Sequence, residues 1–149
     1  MQFTTPNIAL LSGDELEMYV AAIFQTNGYY VMSDLWWSEA STINSFKSID
    51  ILQADVLAYF FTPFSVNSIL VECKGGGTFV DFFKFLGIAE FLNASSSFFI
   101  CSNSPVFDEL IKLGENKGIK VFTPKNIIDS FSSSINYQKI DQWYWSNSL

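Results

Sequence analysis

Leu16, Val20, Ile23 and Phe24 recur at i, i+4, i+7 and i+8, the spacing of one buried helical face, and predict a helix over 13–27. Ser12-Gly13-Asp14-Glu15 has the form of a capping box at its start, and Asn27-Gly28 that of a stop. Residues 29–37 read as a strand and the polar stretch 38–48 as a loop. A longer strand follows over 51–61, turn residues over 62–67, and a short apolar strand over 68–74, so that the two strands form a hairpin. Gly75-Gly76-Gly77 breaks the chain and reads as a flexible exit from that strand. The next segment, 78–93, is apolar nearly all round, which predicts a deeply packed helix with Thr78 as its N-cap.

Strands and helices then alternate: a strand over 97–102, an amphipathic helix over 105–116, a strand over 119–122 and a short helix over 124–131. The order α-β-β-β-α-β-α-β-α implies an α/β fold, a mixed sheet with helices on both faces. The 149 residues fit a single domain with its core at about 10–131, followed by an aromatic tail at 132–149. No apolar run approaches the roughly 18 residues of a membrane span. The first residues carry no export pattern, so the expected location is the cytoplasm.

Composition narrows the chemistry. There is no His, which excludes a histidine base, a Ser-His-Asp triad and His-ligated metal, and leaves carboxylates, Lys and Tyr for acid-base work. The two cysteines, Cys73 and Cys101, lie in apolar runs and read as reduced core thiols. Fifteen acidic residues against eight basic ones, all Lys, give a net charge of −7, which disfavours tight autonomous binding of nucleic acid. A local positive region or divalent ions would have to compensate.

Within that acidic chain, Asp55 sits on the first hairpin strand in Ala54-Asp55-Val56, and Glu72 and Lys74 on the second in Val71-Glu72-Cys73-Lys74. Strand alternation puts Glu72 and Lys74 on one face with Cys73 on the other. Charges in otherwise apolar strand ends are costly to bury unless paired or metal-bound. The bland alternative is a structural ion pair at a sheet end. Asp50, five residues earlier, competes with Asp55. The strand continuing from Asp55 runs straight into the turn before Glu72, which favours Asp55, while a shift in hairpin register would exchange the two.

The helix around Ser12–Val20, then Gly28-Tyr29, the Asp55 strand and Val71-Glu72-Cys73-Lys74-Gly75 together resemble the PD-(D/E)xK superfamily, whose fold is a restriction-endonuclease-like three-layer α/β/α sandwich. The layout is similar to Holliday-junction resolvases and restriction-enzyme catalytic domains, and the resemblance extends to about Ile127. It implies a divalent-metal-dependent endonuclease acting on nucleic acid, with DNA favoured over RNA. Asp55, Glu72 and the Cys73 backbone carbonyl would bind Mg²⁺, or Mn²⁺ in its place, with Lys74 orienting the attacking water or stabilising the pentavalent phosphorus.

Glu17 matches a helix-borne acid that often completes such a site, although its periodicity lets it face either way. Lys84 matches a helix lysine near the phosphate, and reads equally as a surface partner of Asp81 at i+3. Ala54 stands where the family name has Pro, and the missing Arg departs from a usual DNA-binding surface. A homodimer is expected, with Trp143-Tyr144-Trp145 as its contact, as is a further protein partner supplying nucleic-acid affinity. The alternative is a catalytically idle domain serving as a protein-binding subunit of a defence or repair complex.

Overall fold

The computed structural model describes residues 11, 13–40, 48–102, 104–123 and 126, and at 38–40 and 48–51 the backbone alone. The elements run α1 (Gly13–Thr26), β1 (Tyr30–Ala40), β2 (Ser48–Phe61), β3 (Val66–Lys74), α2 (Phe79–Leu92), β4 (Ser96–Cys101), α3 (Phe107–Lys117) and β5 (Ile119–Phe122). Apart from Asn126, the expected 124–131 helix lies outside the described residues, as do the aromatic tail and Ser12 of the expected capping box.

Strands follow one another across the sheet in the order β1-β2-β3-β4-β5. The first two pairings are antiparallel and the last two parallel. A parallel pairing needs a crossover, and α2 and α3 supply the two crossovers. Leu16, Val20, Ile23 and Phe24 of α1 pack with Val56, Ala58, Val71 and Cys73 on one face. Phe82, Phe85 and Leu110 of α2 and α3 pack with Leu57, Leu70 and Phe99 on the other. The result is an α/β/α sandwich of three helices on a five-stranded mixed sheet.

Local chemistry accounts for the element ends. At the end of α1, Thr26 Oγ1 and Asn27 Nδ2 donate to the carbonyls of Ala22 and Ile23 at 2.8 and 2.6 Å, and Gly28 turns the chain at φ 88°. Thr78 caps α2: its Oγ1 accepts from the Asp81 amide at 3.3 Å while the Asp81 carboxylate accepts from the Thr78 amide at 3.1 Å. Gly118 closes α3 at φ 72°. Gly114 lets α3 lie on β5, since a Cβ there would collide with the Ile119 carbonyl and stand 2.8 Å from Val121 Cγ2.

Two expectations change. β1 and β2 run beyond the apolar pattern into polar residues, because Ser38 and Ala40 find ladder partners in Asp50 and Ser48; hydrogen bonding replaces hydrophobic burial there. Helix α2 is not packed all round: it buries Phe82 and Phe85 and leaves Phe79, Val80, Phe83 and Phe91 exposed. A helix on the outer face of a three-layer sandwich has only one face to bury. Among the described residues, no helix is long and apolar enough to cross a membrane.

Candidate functional site

The site lies where two strands part. β2 and β3 pair from Phe61↔Val66 down to Val56↔Val71 and no further. Beyond that point β2 follows β1, pairing Ala54 with Leu35, while β3 follows β4, pairing Glu72, Cys73 and Lys74 with Phe99, Ile100 and Cys101. The hairpin thus opens into a fork, and the Cys73 amide, facing β2, loses a ladder acceptor. Asp55 Oδ2 takes that place, accepting from the Cys73 N–H at 2.8 Å. This bond locks the carboxylate across the mouth of the fork, and charge-assisted bonds of this kind are the stronger class.

Glu72 and Lys74 share a face, as their spacing predicts, and form an ion pair with Lys74 Nζ 2.9 Å from Glu72 Oε1. Asp55 and Glu72 are 7% and 9% exposed, whereas the Lys74 side chain is about a third open to solvent. The lysine therefore stands at the mouth with the two acids behind it. Cys73 points the other way, into the core beneath α1. Glu17, half-buried on α1, turns inward and comes within hydrogen-bonding range of Asp55. The structure thus brings Asp55, Glu72, Lys74 and Glu17 together. Asp50 pairs with Ser38 five residues up the strand, roughly 16 Å away along β2. Lys84 is exposed on α2, and Asp81 is engaged in the Thr78 cap rather than held by Lys84.

Burial sets the proton affinities. It pushes Glu17 up to about 8, helped by the charge and hydrogen bond of Asp55 and then by Asp14 and Asp34. Burial likewise raises Glu72 to about 7, with the Asp55 charge adding to it and Lys74 opposing. Asp55 is raised by burial too, although the Cys73 amide, Lys74 and Glu17 pull it back. Burial alone would pull Lys74 down, but the hydrogen bond and charge of Glu72, then Asp55 and Asp81, hold it above its ordinary value. Lys74 is a fixed cation here.

Asp34 is a residue the sequence reading passed over. It stands mid-strand at φ 52°, a left-handed conformation unusual outside glycine, and its carboxylate accepts from Gln53 Nε2. In the β1-β2 register it falls opposite Asp55, and that one pair is skipped between Ser33↔Val56 and Leu35↔Ala54. Both strands change face there. Met32 and Leu35, three apart, join the α2-α3 side, while Ala54 and Val56, two apart, take opposite sides. Because both strands flip together the register survives, and Asp55 is turned into the fork. A lone acid in the Tyr-Val-Met-Ser-Asp-Leu-Trp-Trp strand was the available signal.

The glycine run is not a loose exit. Ser102 N–H and Oγ donate to the Lys74 and Gly75 carbonyls at 3.1 and 3.0 Å, and Ser104 Oγ donates to the Gly77 carbonyl at 2.7 Å. Gly77 packs on β4, where a Cβ would stand 3.0 Å from Cys101 Cβ and Phe99 Cε1. Two surface hollows of about 570 and 490 Å³ lie instead beside α3, one along β5 and one by the end of α2, and contain none of the fork residues.

Three carboxyls of raised proton affinity beside one lysine cation form an oxygen-rich set, the donor type that hard divalent ions take. As the side chains stand, no three His, Cys, Asp or Glu groups among the described residues enclose a position for an ion. Their oxygens are engaged with the Cys73 amide, Lys74 and one another.

No protein-family model matches the chain, and no curated protein matches it. Among solved structures it is similar to the crystal structure of a protein of unknown function, AF1548, at 12% identity and a TM-score of 0.53. The match covers 85% of this chain and 64% of that one, so this chain spans just under two thirds of its length. That likeness concerns the fold.

Proposed function

We propose that the chain is a divalent-metal-dependent endonuclease of the PD-(D/E)xK type, hydrolysing phosphodiester bonds in nucleic acid, DNA in preference to RNA. The observation that carries this reading is the fork itself: Asp55, Glu72 and Glu17 converge where β2 and β3 part, with Lys74 at the mouth. A protein gains nothing in stability by burying three acids around one lysine, so the arrangement calls for a ligand of opposite charge.

Asp55, Glu72, Glu17 and the Cys73 carbonyl would hold Mg²⁺, or Mn²⁺ in its place, the ion competing with protons for carboxyls whose proton affinity burial has raised. When bound, the cation supplies charge neutralisation for the phosphodiester and lowers the proton affinity of the attacking water. The chain's own contribution is positional and electrostatic. The Cys73 amide keeps Asp55 aimed across the fork. Glu72 holds Lys74 in place, and Lys74, always protonated, donates to the water or to the phosphoryl oxygens as negative charge builds there. A cationic Lys74 acts as donor and not as base. Hydrolysis breaks the P–O bond to the leaving sugar oxygen as the water oxygen bonds to phosphorus, and the protons pass through solvent at the open mouth.

Asp14, Asp34 and Asp81 lie near enough to act on Glu17 or Lys74, so the rim of the site is acidic. Phosphate affinity then rests on the cation and on a protein partner. Cleavage of single-stranded, double-stranded and branched DNA and of RNA, with Mg²⁺ or with EDTA, tests the reading. Mg²⁺-dependent cutting that falls by about 10²-fold or more in Lys74→Ala supports it. Cutting that persists in Lys74→Ala and Glu72→Ala refutes it. Absence of cutting together with capture by a protein partner would favour the idle subunit instead.

A further inference from the structure

We propose that the bare face of α2 is the two-fold contact between two copies of this chain, the helices crossing antiparallel at Gly87. That face lies on the outside of the sandwich, and none of its residues belongs to the fork.

Helix α2 carries Phe79, Val80, Phe83 and Phe91 at 40, 64, 54 and 62% exposure. At roughly 200 Å² for a phenylalanine, these four present about 400 Å² of apolar surface on one helix. That is about half of what each partner brings to a standard interface, the size of a weak, reversible contact. Its arrangement identifies the partner. Gly87 is exposed, and a Cβ built there would meet nothing within 4 Å, so the centre of the face is a notch. At about 100° and 1.5 Å per residue, Phe83 and Phe91 flank Gly87 by about 40° to either side, one turn below and one above. Lys84 and Glu90 flank it by about 60°, again one on each side and each end.

An isologous contact needs a patch that fits its own copy, residue i meeting j and j meeting i. Phe83, Gly87 and Phe91 form one i±4 ridge, and the missing side chain at its middle lets two such ridges cross closely. Rotation about a two-fold at Gly87 brings Lys84 of one copy beside Phe91 of the other. The lysine stem covers the ring and its ammonium approaches the ring face. On the opposite seam, Phe83 presents its electropositive edge to Glu90 of the second copy. Asp81, the nearest acid preceding Lys84 on the helix, is engaged in the Thr78 cap, which leaves the lysine for this contact. The modest area predicts a dissociation constant on the order of micromolar or weaker.

A residue on a two-fold meets its own copy, which makes disulfide trapping decisive. Cys73 and Cys101 are buried, so an introduced thiol at position 87 reports alone. Under mild oxidation without denaturant, Gly87→Cys should give a covalent dimer, while Glu109→Cys, exposed on α3, should not. Sedimentation of the wild type over about 5 to 500 μM should show monomer passing to dimer, and Phe83→Ser with Phe91→Ser should weaken that at least about 10-fold with an unchanged circular dichroism spectrum. A wild type that is monomeric throughout, with no cross-link at position 87, overturns the proposal, whether the face is then found covered by another protein or by the aromatic segment around Trp143. So does a dimer that the two serine substitutions leave intact.

Discussion

Buried carboxyls make the stability of the metal-free protein fall as pH rises, and the size of that fall follows from the fork. Glu72 keeps its proton to about 7 against an ordinary 4.5. Between those values the folded state binds a proton that the unfolded state has lost, so unfolding releases it and the stability slope with pH is negative. The contribution is fully present below about 4.5 and is lost as pH climbs through 7. At 1.36 kcal/mol per tenfold change in proton affinity, Glu72 accounts for roughly 3 kcal/mol. Glu17, raised to about 8 but only half-buried, adds a smaller amount in the same direction because water screens it.

For a domain of this size the sum is worth a fall of about 6–12 °C in melting temperature between pH 5 and pH 9. The assay is thermal and urea denaturation in EDTA across that range. Asp55→Asn keeps an acceptor for the Cys73 amide and removes the charge that raises both glutamates, so its profile should be flatter. Saturating Mn²⁺ should raise the melting temperature of the wild type most at high pH, where the ion no longer competes with protons, and should leave Asp55→Asn unmoved. A wild-type stability in EDTA that is level or rises from pH 5 to pH 9 would show that the fork does not raise the proton affinity of its carboxyls.

Two further substitutions probe the scaffold. Asp34→Gly, which accepts φ 52° without strain, should retain more cleavage and Mn²⁺ response than Asp34→Val, which cannot hold that conformation and should cost on the order of 1–3 kcal/mol in urea titration. Gly114→Ala puts a methyl into the Ile119 carbonyl and should destabilise by about 1–3 kcal/mol through the α3-β5 contact, with metal binding at the fork unchanged.

How far the residues announced this arrangement differs from element to element. Periodicity placed α1, and alternation put Glu72 and Lys74 on one face, because both are local consequences of backbone geometry. Thr78 was legible as a cap for the same reason. The fork was not: a hairpin pattern says which strands pair and not where they part, which depends on β1 and β4 drawing them in opposite directions. Asp34 escaped notice because a left-handed residue inside a strand has no sequence signature unless it is glycine. The outer face of α2 misled because an apolar helix looks alike whether the core or another molecule covers it. Gly75–Gly77 looked flexible because the serines that hold it come from a distant segment, Ser102 and Ser104.

Whether a divalent cation occupies the fork is the question on which the functional account turns, and crystals soaked in Mn²⁺ answer it directly by anomalous scattering. A peak is expected between Asp55 and Glu72, in contact with oxygens of both, with Glu17 turned toward it and the signal gone in Asp55→Ala crystals. An empty fork at saturating Mn²⁺ and pH 8, or an ion bound at Asp50 instead, would contradict it.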